Sequence, residues 1–178
     1  RRERLLNRLA WRGDEQVLDV GCGRGLFLVG AARRLVGGRA TGIDIWRAED
    51  LSNNSAEATL ANARLEGVAE RVEVRTADMR ELPFPDATFD VVLSCAAIHN
   101  LDAEQDRAAA IRQVARVLKP GGHALIDDVR HVEAYAATFA AAGCPTVRRL
   151  DNRLEGLFWT LVTFGSLRPG TLLVRKGG

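Results

Sequence analysis

What this chain has little of narrows its function first. It has three cysteines, Cys22, Cys95 and Cys144. An odd number at wide spacing excludes a disulfide framework and a zinc pattern. Each sits in or beside an apolar run and reads as a small buried side chain, which fits a reducing, cytoplasmic compartment. Neither sign of charge dominates. Twenty-five Lys+Arg face 23 Asp+Glu, for a net charge of +2, so the balance gives no case for a nucleic-acid partner. The short clusters Arg1-Arg2, Arg33-Arg34 and Arg148-Arg149 read as solvated faces rather than a phosphate track. No apolar run approaches the roughly 18 residues of a membrane span, and no secretory signal is recognisable. The first residue is Arg1, in mid-helix, not a methionine. The expectation is a natural protein that begins further upstream, with any membrane tether confined to that upstream part.

What is present suits one domain. The 178 residues are 47% hydrophobic, enough for a full core. Strand-like runs, rich in β-branched residues, cover 16–20, 39–45, 71–76, 89–95, 122–127, 146–150 and 171–175. Amphipathic helical stretches fall at 25–35, 55–66, 103–118 and 132–142, and a first helix puts Leu5, Leu6 and Leu9 on one face. Gly67 stops the second of the four, and Lys119-Pro120-Gly121-Gly122 is a strong turn signal after the third. The alternation predicts an α/β fold, doubly wound and Rossmann-like, with a seven-stranded, mostly parallel sheet and helices on both faces. Residues 1–13 form its N-terminal helix, 14–130 its ligand-binding core and 131–178 its last helix and strands. The apolar stretch 154–164, with Trp159, reads mainly as packing. In such sheets ligands bind beyond the carboxyl ends of the strands, so the residues just after each strand are the site candidates.

The first of those ends is VLDVGCGRG, residues 17–25. Gly21, Gly23 and Gly25 open a strand-to-helix turn behind Asp19. Glycine is costly there unless the backbone needs an unusual angle or a close approach. The spacing is G-x-G-x-G, not the dinucleotide G-x-G-x-x-G. An acid stands two residues before the first glycine. Both features suit S-adenosylmethionine, which has no phosphates and carries a cationic amino group. A turn that only packs helix on strand is the plainer alternative. At the second strand end, Asp44 can accept ribose hydroxyls, or can serve as a helix cap. At the third, the Asp78 carboxylate can accept an adenine amino group and Met79 can cover the ring.

Together, VLDVGCGRG, GIDIW, TADMRELPFPDATFDVVLSCAAIHNL and RVLKPGGHALI resemble class I S-adenosylmethionine-dependent methyltransferases, closest to the group containing the ubiquinone and menaquinone biosynthesis enzymes. The resemblance covers about residues 15–130. It implies that Asp19, Gly21, Gly23 and Gly25 hold the methionine end of S-adenosyl-L-methionine. It implies Asp44 at the ribose, Ile45, Asp78 and Met79 at the adenine, and Ser94 and Cys95 near the methionine portion. The sequence departs from the common pattern at Trp46 and in RAEDLSNNS, where Asn53, Asn54 and Ser55 either wall the site or cap the next helix. The implied partner is a small-molecule methyl acceptor.

Methyl transfer from a sulfonium needs alignment and water exclusion more than acid–base chemistry. A base is required only if the nucleophile arrives protonated. His99, after the fourth strand, is the first candidate; a structural histidine is the alternative. Asp127 and Asp128 end the fifth strand. One of them can act as a base, bind a cationic acceptor or orient His131, and the alternative is a helix cap beside a solvated acid. Trp46, Asn100, Asp128 and His131 are the candidate acceptor contacts, and no metal site is expected. A nicotinamide-dependent oxidoreductase and a non-catalytic cofactor-binding module remain open.

Overall fold

A computed structural model describes residues 1–47, 49, 52–150 and 167–178. Its elements run in the order α1 (Arg2–Leu6), β1 (Gln16–Val20), α2 (Leu26–Ala32), β2 (Arg39–Asp44), α3 (Ala56–Leu65), β3 (Val72–Thr76), β4 (Phe89–Cys95), α4 (Glu104–Val117), β5 (Leu118–Asp128), α5 (Val132–Ala141), β6 (Thr146–Arg149) and β7 (Gly170–Arg175). The strands form one sheet ordered β3-β2-β1-β4-β5-β7-β6. The β3-β2-β1-β4-β5 part is parallel, and β7 runs antiparallel between β5 and β6. The chain winds outward from β1 to β3, then restarts at β4 on the other side of β1. That reversal opens a crevice at the carboxyl ends of β1 and β4.

Alternation along the central strands splits the core into two layers. Val92, Ala124 and Ile126 face α4 and α5, where Ile111, Val114, Tyr135 and Phe139 are buried. Val91, Leu93 and Leu125 face the other layer with Leu6, Phe27, Leu28 and Ala63. Sheet and helices together therefore fix β1 and β4 from both faces.

Two expectations change. The first helix covers only Arg2–Leu6 rather than residues 1–13. Its Leu5 and Leu6 are buried against the α2 layer, and the Trp11 indole N–H closes the following turn on the Leu6 carbonyl at 2.8 Å. It packs on α2, and only Arg2 reaches the cavity described below. The Lys119-Pro120-Gly121-Gly122 stretch does not separate a helix from a strand. α4 stops at Val117, and β5 begins at once, passing through Pro120. The register against β4 shifts between Phe89 and Val91, and Gly121 takes φ +74° while donating its N–H to Lys176 O. An irregular strand start is where a proline and a left-handed glycine fit inside a sheet. The expectation for 154–164 and Trp159 lies outside the described residues.

Candidate active site

A cavity of about 680 Å³ opens where β1, β2 and β4 end. Asp19, Gly21, Gly23, Gly25, Asp44, Ile45, Asp78, Met79, Cys95 and Asn100 all line it. The glycine turn is built by the backbone. Gly21 and Cys22 both donate N–H to Ile43 O at 2.9 Å, which forces Gly21 to φ +68°. A Cβ there would lie 2.3 Å from the Ala97 Cβ. That methyl sits on the backbone after β4 and cannot swing away. Gly21→Ala is therefore expected to cost at least about 2 kcal/mol of stability, from the left-handed angle and the overlap together. A thermal melt checks it, and an unchanged midpoint would show that the turn can relax. Thr59, buried in α3, steadies the same turn by donating to Gly23 O at 2.6 Å.

Asp19 is 1% exposed. Its Oδ2 accepts the Leu28 N–H at 2.8 Å, at the amino end of α2, where a carboxylate is favoured. Its Oδ1 is buried with no partner among the described residues. Burial pushes the carboxyl up to about 7; the Leu28 bond opposes the rise and nearby Asp44 adds to it. A half-satisfied buried carboxylate beside an open cavity complements a cation.

Asp44 is held by Gly23 N–H at 2.9 Å, Trp46 N–H at 2.7 Å and Asn54 Nδ2 at 3.3 Å. Ile45 offers an exposed apolar face beside it. Asp78 is gripped by the Arg80 guanidinium at 2.6–3.1 Å, and Arg80 also reaches Asp106 at 3.1 Å. The Arg80 hydrogen bonds hold the Asp78 carboxyl below the usual carboxylate range. Met79 lies over the glycine turn, with its Cε 3.4 Å from where a Gly21 Cβ would be. At Cys95, burial pushes the thiol up to about 12. It is neutral at physiological pH and serves as cavity wall.

Six candidates lie outside the cavity lining: Ser94, Trp46, Asp127 and His131, and the pair His99 and Asp128. Ser94 is buried, points away from the cavity and donates to Val20 O at 2.8 Å, tying β4 to β1. Trp46 sits outside the cavity lining. Its indole N–H donates to Thr76 Oγ1 at 2.8 Å, and its ring packs on the α2 layer. Asp127 accepts from Arg1 Nη2 at 2.8 Å and Thr171 Oγ1 at 2.6 Å, with Cys95 Sγ 3.9 Å away. His131 precedes α5 at φ +62°, its ring tilted 6.5 Å from that of Tyr135. Burial, with help from Arg107, lowers its titration.

The acid that orients a histidine is Asp128, and the histidine is His99. His99 Nδ1 stands 2.6 Å from Asp128 Oδ1, and the His99 N–H donates to Asp128 Oδ2 at 3.1 Å. Val129 N–H at 2.8 Å and Tyr135 OH at 3.4 Å complete the shell of this 2%-exposed carboxylate. The His99 side chain keeps 21% exposure, next to cavity-lining Asn100. Sequence reasoning did not single out Thr59, which acts through a contact 36 residues away, nor Arg80 and cavity-lining Leu101, although both lie in the TADMRELPFPDATFDVVLSCAAIHNL stretch. It left Asn53-Asn54-Ser55 with two readings, and both hold. Ser55 Oγ caps α3 on the Ala58 N–H at 3.2 Å, and Asn54 lines the cavity. Among the described residues no cluster of three or more His, Cys, Asp or Glu could hold a metal ion.

Comparison with known proteins agrees with this layout. A family model described as a methyltransferase domain matches residues 18–126. The chain is 36% identical over 142 residues to 27-O-demethylrifamycin SV methyltransferase of Amycolatopsis mediterranei, covering 79% of this chain and 48% of that protein. It is 35% identical over 139 residues to the ubiquinone biosynthesis O-methyltransferase of Alkalilimnicola ehrlichii, covering 76% and 49%. The chain thus spans about half the length of these curated relatives. In fold it matches a SAM dependent methyltransferase from Aquifex aeolicus with a TM-score of 0.72 at 18% identity, over 98% of this chain and 89% of that one. With more than half of its length matched by that model and its sheet, glycine turn and strand-end acids in the expected places, the chain belongs to the class I S-adenosylmethionine-dependent methyltransferase family.

Proposed function

We propose that this chain binds S-adenosyl-L-methionine in the β1–β2–β4 cavity and transfers its methyl group to the hydroxyl oxygen of a small molecule. The observation that carries the reading is the unpartnered, buried Asp19 oxygen beside the glycine turn. It suits a ligand amino cation. Asp19 and the Gly21–Gly25 backbone then hold the methionine end, Asp44 reads the ribose, and Ile45, Asp78 and Met79 enclose the adenine. Cys95 supplies a neutral wall that helps exclude water. The bound cofactor supplies an electrophilic methyl carbon on a sulfonium.

His99 is the base. With Nδ1 turned toward Asp128, its N–H is donated to the carboxylate and the Nε2 lone pair is left free. The acceptor's hydroxyl proton passes to Nε2 as the oxygen attacks, and Asp128 steadies the imidazolium. Asn100 orients the acceptor at the cavity mouth. The hydroxyl assignment has support from the two relatives named above, a 27-O-demethylrifamycin SV methyltransferase and an O-methyltransferase of ubiquinone biosynthesis. Asp127 already carries Arg1 and Thr171, and shapes the wall behind Cys95. Among the described residues no helix is long and apolar enough to cross a membrane.

Calorimetric titration with S-adenosylhomocysteine, with NADH as control, tests the cofactor. Micromolar binding of the first and none of the second is expected. The reverse would move the chain to nicotinamide chemistry.

A further inference from the structure

The ribose site carries a residue that the strand-end acid alone does not explain. An ionised carboxylate offers about four lone-pair directions. On Asp44, the protein's own donors take three: Trp46 N–H and Asn54 Nδ2 on Oδ1, and Gly23 N–H on Oδ2. One direction remains, on Oδ2. A ribose presents two adjacent hydroxyls, each with a proton to donate. Asp44 as held here has room for one of them.

Asn54 has the missing acceptor. Its Nδ2 faces Asp44 Oδ1 at 3.3 Å. Turning the amide over would set two oxygens against each other, so the carboxylate fixes which atom is which. That leaves Asn54 Oδ1 buried with no partner among the described residues, in a residue that lines the same cavity as Asp44. A buried acceptor left unsatisfied is costly, and the protein tolerates few of them. The second such atom in the described residues is Asp19 Oδ1, in the same cavity. The Asn54–Asp44 bond is long, and the terminal amide torsion is soft. A small rotation presents Oδ1 to the cavity without breaking the local fold, because the α3 cap belongs to Ser55.

We propose that Asn54 is a second ribose-reading residue: its Oδ1 accepts one hydroxyl of the cofactor's diol, and Asp44 Oδ2 accepts the other. The assignment rests on the S-adenosylmethionine reading above. It turns the Asn53-Asn54-Ser55 insertion from a loop feature into a specificity element. A ligand lacking either hydroxyl leaves one buried acceptor without a partner and is rejected.

The test is calorimetric titration of S-adenosylhomocysteine and its 2′-deoxy and 3′-deoxy analogues against the wild-type chain and Asn54→Ala. Wild type is expected to bind each analogue about tenfold or more weakly than the parent ligand. In Asn54→Ala, one analogue loses that penalty to within about twofold, while the other keeps it. Both penalties unchanged would overturn the proposal. Both falling together would also overturn it, since Asn54 would then act only by aiming Asp44. Absence of S-adenosylhomocysteine binding to wild type would remove the cofactor reading itself, and the ribose proposal with it. Circular dichroism and a thermal melt confirm that the variant folds. Should it not fold, Asn54→Ser, whose hydroxyl is too short to reach the diol, takes its place with the same outcomes.

Discussion

Replacing His99 by alanine is expected to lower kcat by about 10²- to 10⁴-fold while leaving the dissociation constant for S-adenosylhomocysteine within about twofold. The split follows from position. His99 adjoins cavity-lining Asn100 in the chain but is not itself a lining residue, and its side-chain partner among the described residues is Asp128. Asp128→Asn keeps the shape of the site but removes the charge that would steady an imidazolium. It is expected to lower kcat in the same direction by a smaller factor. Asp128→Ala is the wrong variant, because the carboxylate also accepts from His99 N–H, Val129 N–H and Tyr135 OH, and truncation strands three donors that are buried or partly buried. A screen with labelled methyl donor supplies the acceptor. If kcat is unchanged in His99→Ala, the imidazole is a structural partner of Asp128, and the acceptor must arrive deprotonated or be methylated without a base.

The Asp128–His99 pair also marks where the sequence stops being legible. The strand-end rule leads to Asp19, Asp44, Asp78 and Cys95, all of which line the cavity, because period-two alternation and the glycine turn are local properties. The rule cannot choose between neighbours. Ser94 and Cys95 are consecutive, and a strand turns them to opposite sides; one bonds the β1 backbone and the other lines the cavity. Asp127 and Asp128 divide likewise. Asp127 goes to Arg1 and Thr171, and Asp128 to His99. Those partners lie 29 to 126 residues away in the chain, a distance no motif spans. The Lys119-Pro120-Gly121-Gly122 stretch misleads for a related reason. Its residues are turn formers in isolation, and only the pairing with β4 and with the antiparallel β7 makes them the start of a strand. At Trp46, where the sequence departs from the pattern it otherwise resembles, the indole N–H is given to Thr76 Oγ1, 30 residues away.

Asp19→Asn is expected to move stability and affinity in opposite directions. Burial raises the Asp19 carboxyl from 3.8 to about 7, so the folded chain holds this proton more tightly than the unfolded chain does. The stability that the group contributes is complete below the unfolded value and is lost as pH rises from about 4 through about 7. Above pH 7 the cofactor-free protein carries a buried charge with one unpartnered oxygen. The asparagine variant does not, and at pH 8 its thermal midpoint should lie above that of wild type, by the equivalent of about 1–3 kcal/mol. Binding reverses the order. The ligand's amino cation favours the ionised carboxylate, so wild-type affinity for S-adenosylhomocysteine should rise about tenfold per pH unit up to about 7 and then level off. At pH 6 binding should release a proton, seen as a calorimetric enthalpy that changes with the buffer's own ionisation heat. In Asp19→Asn the proton release and the pH slope should vanish. Affinity at pH 8 should fall by about 30-fold or more, the usual cost of removing one partner from a buried charge pair. A variant that is both less stable and equally tight in binding would show that Asp19 serves only to cap α2 through Leu28. The amino group of the ligand would then be held by the glycine-turn backbone alone.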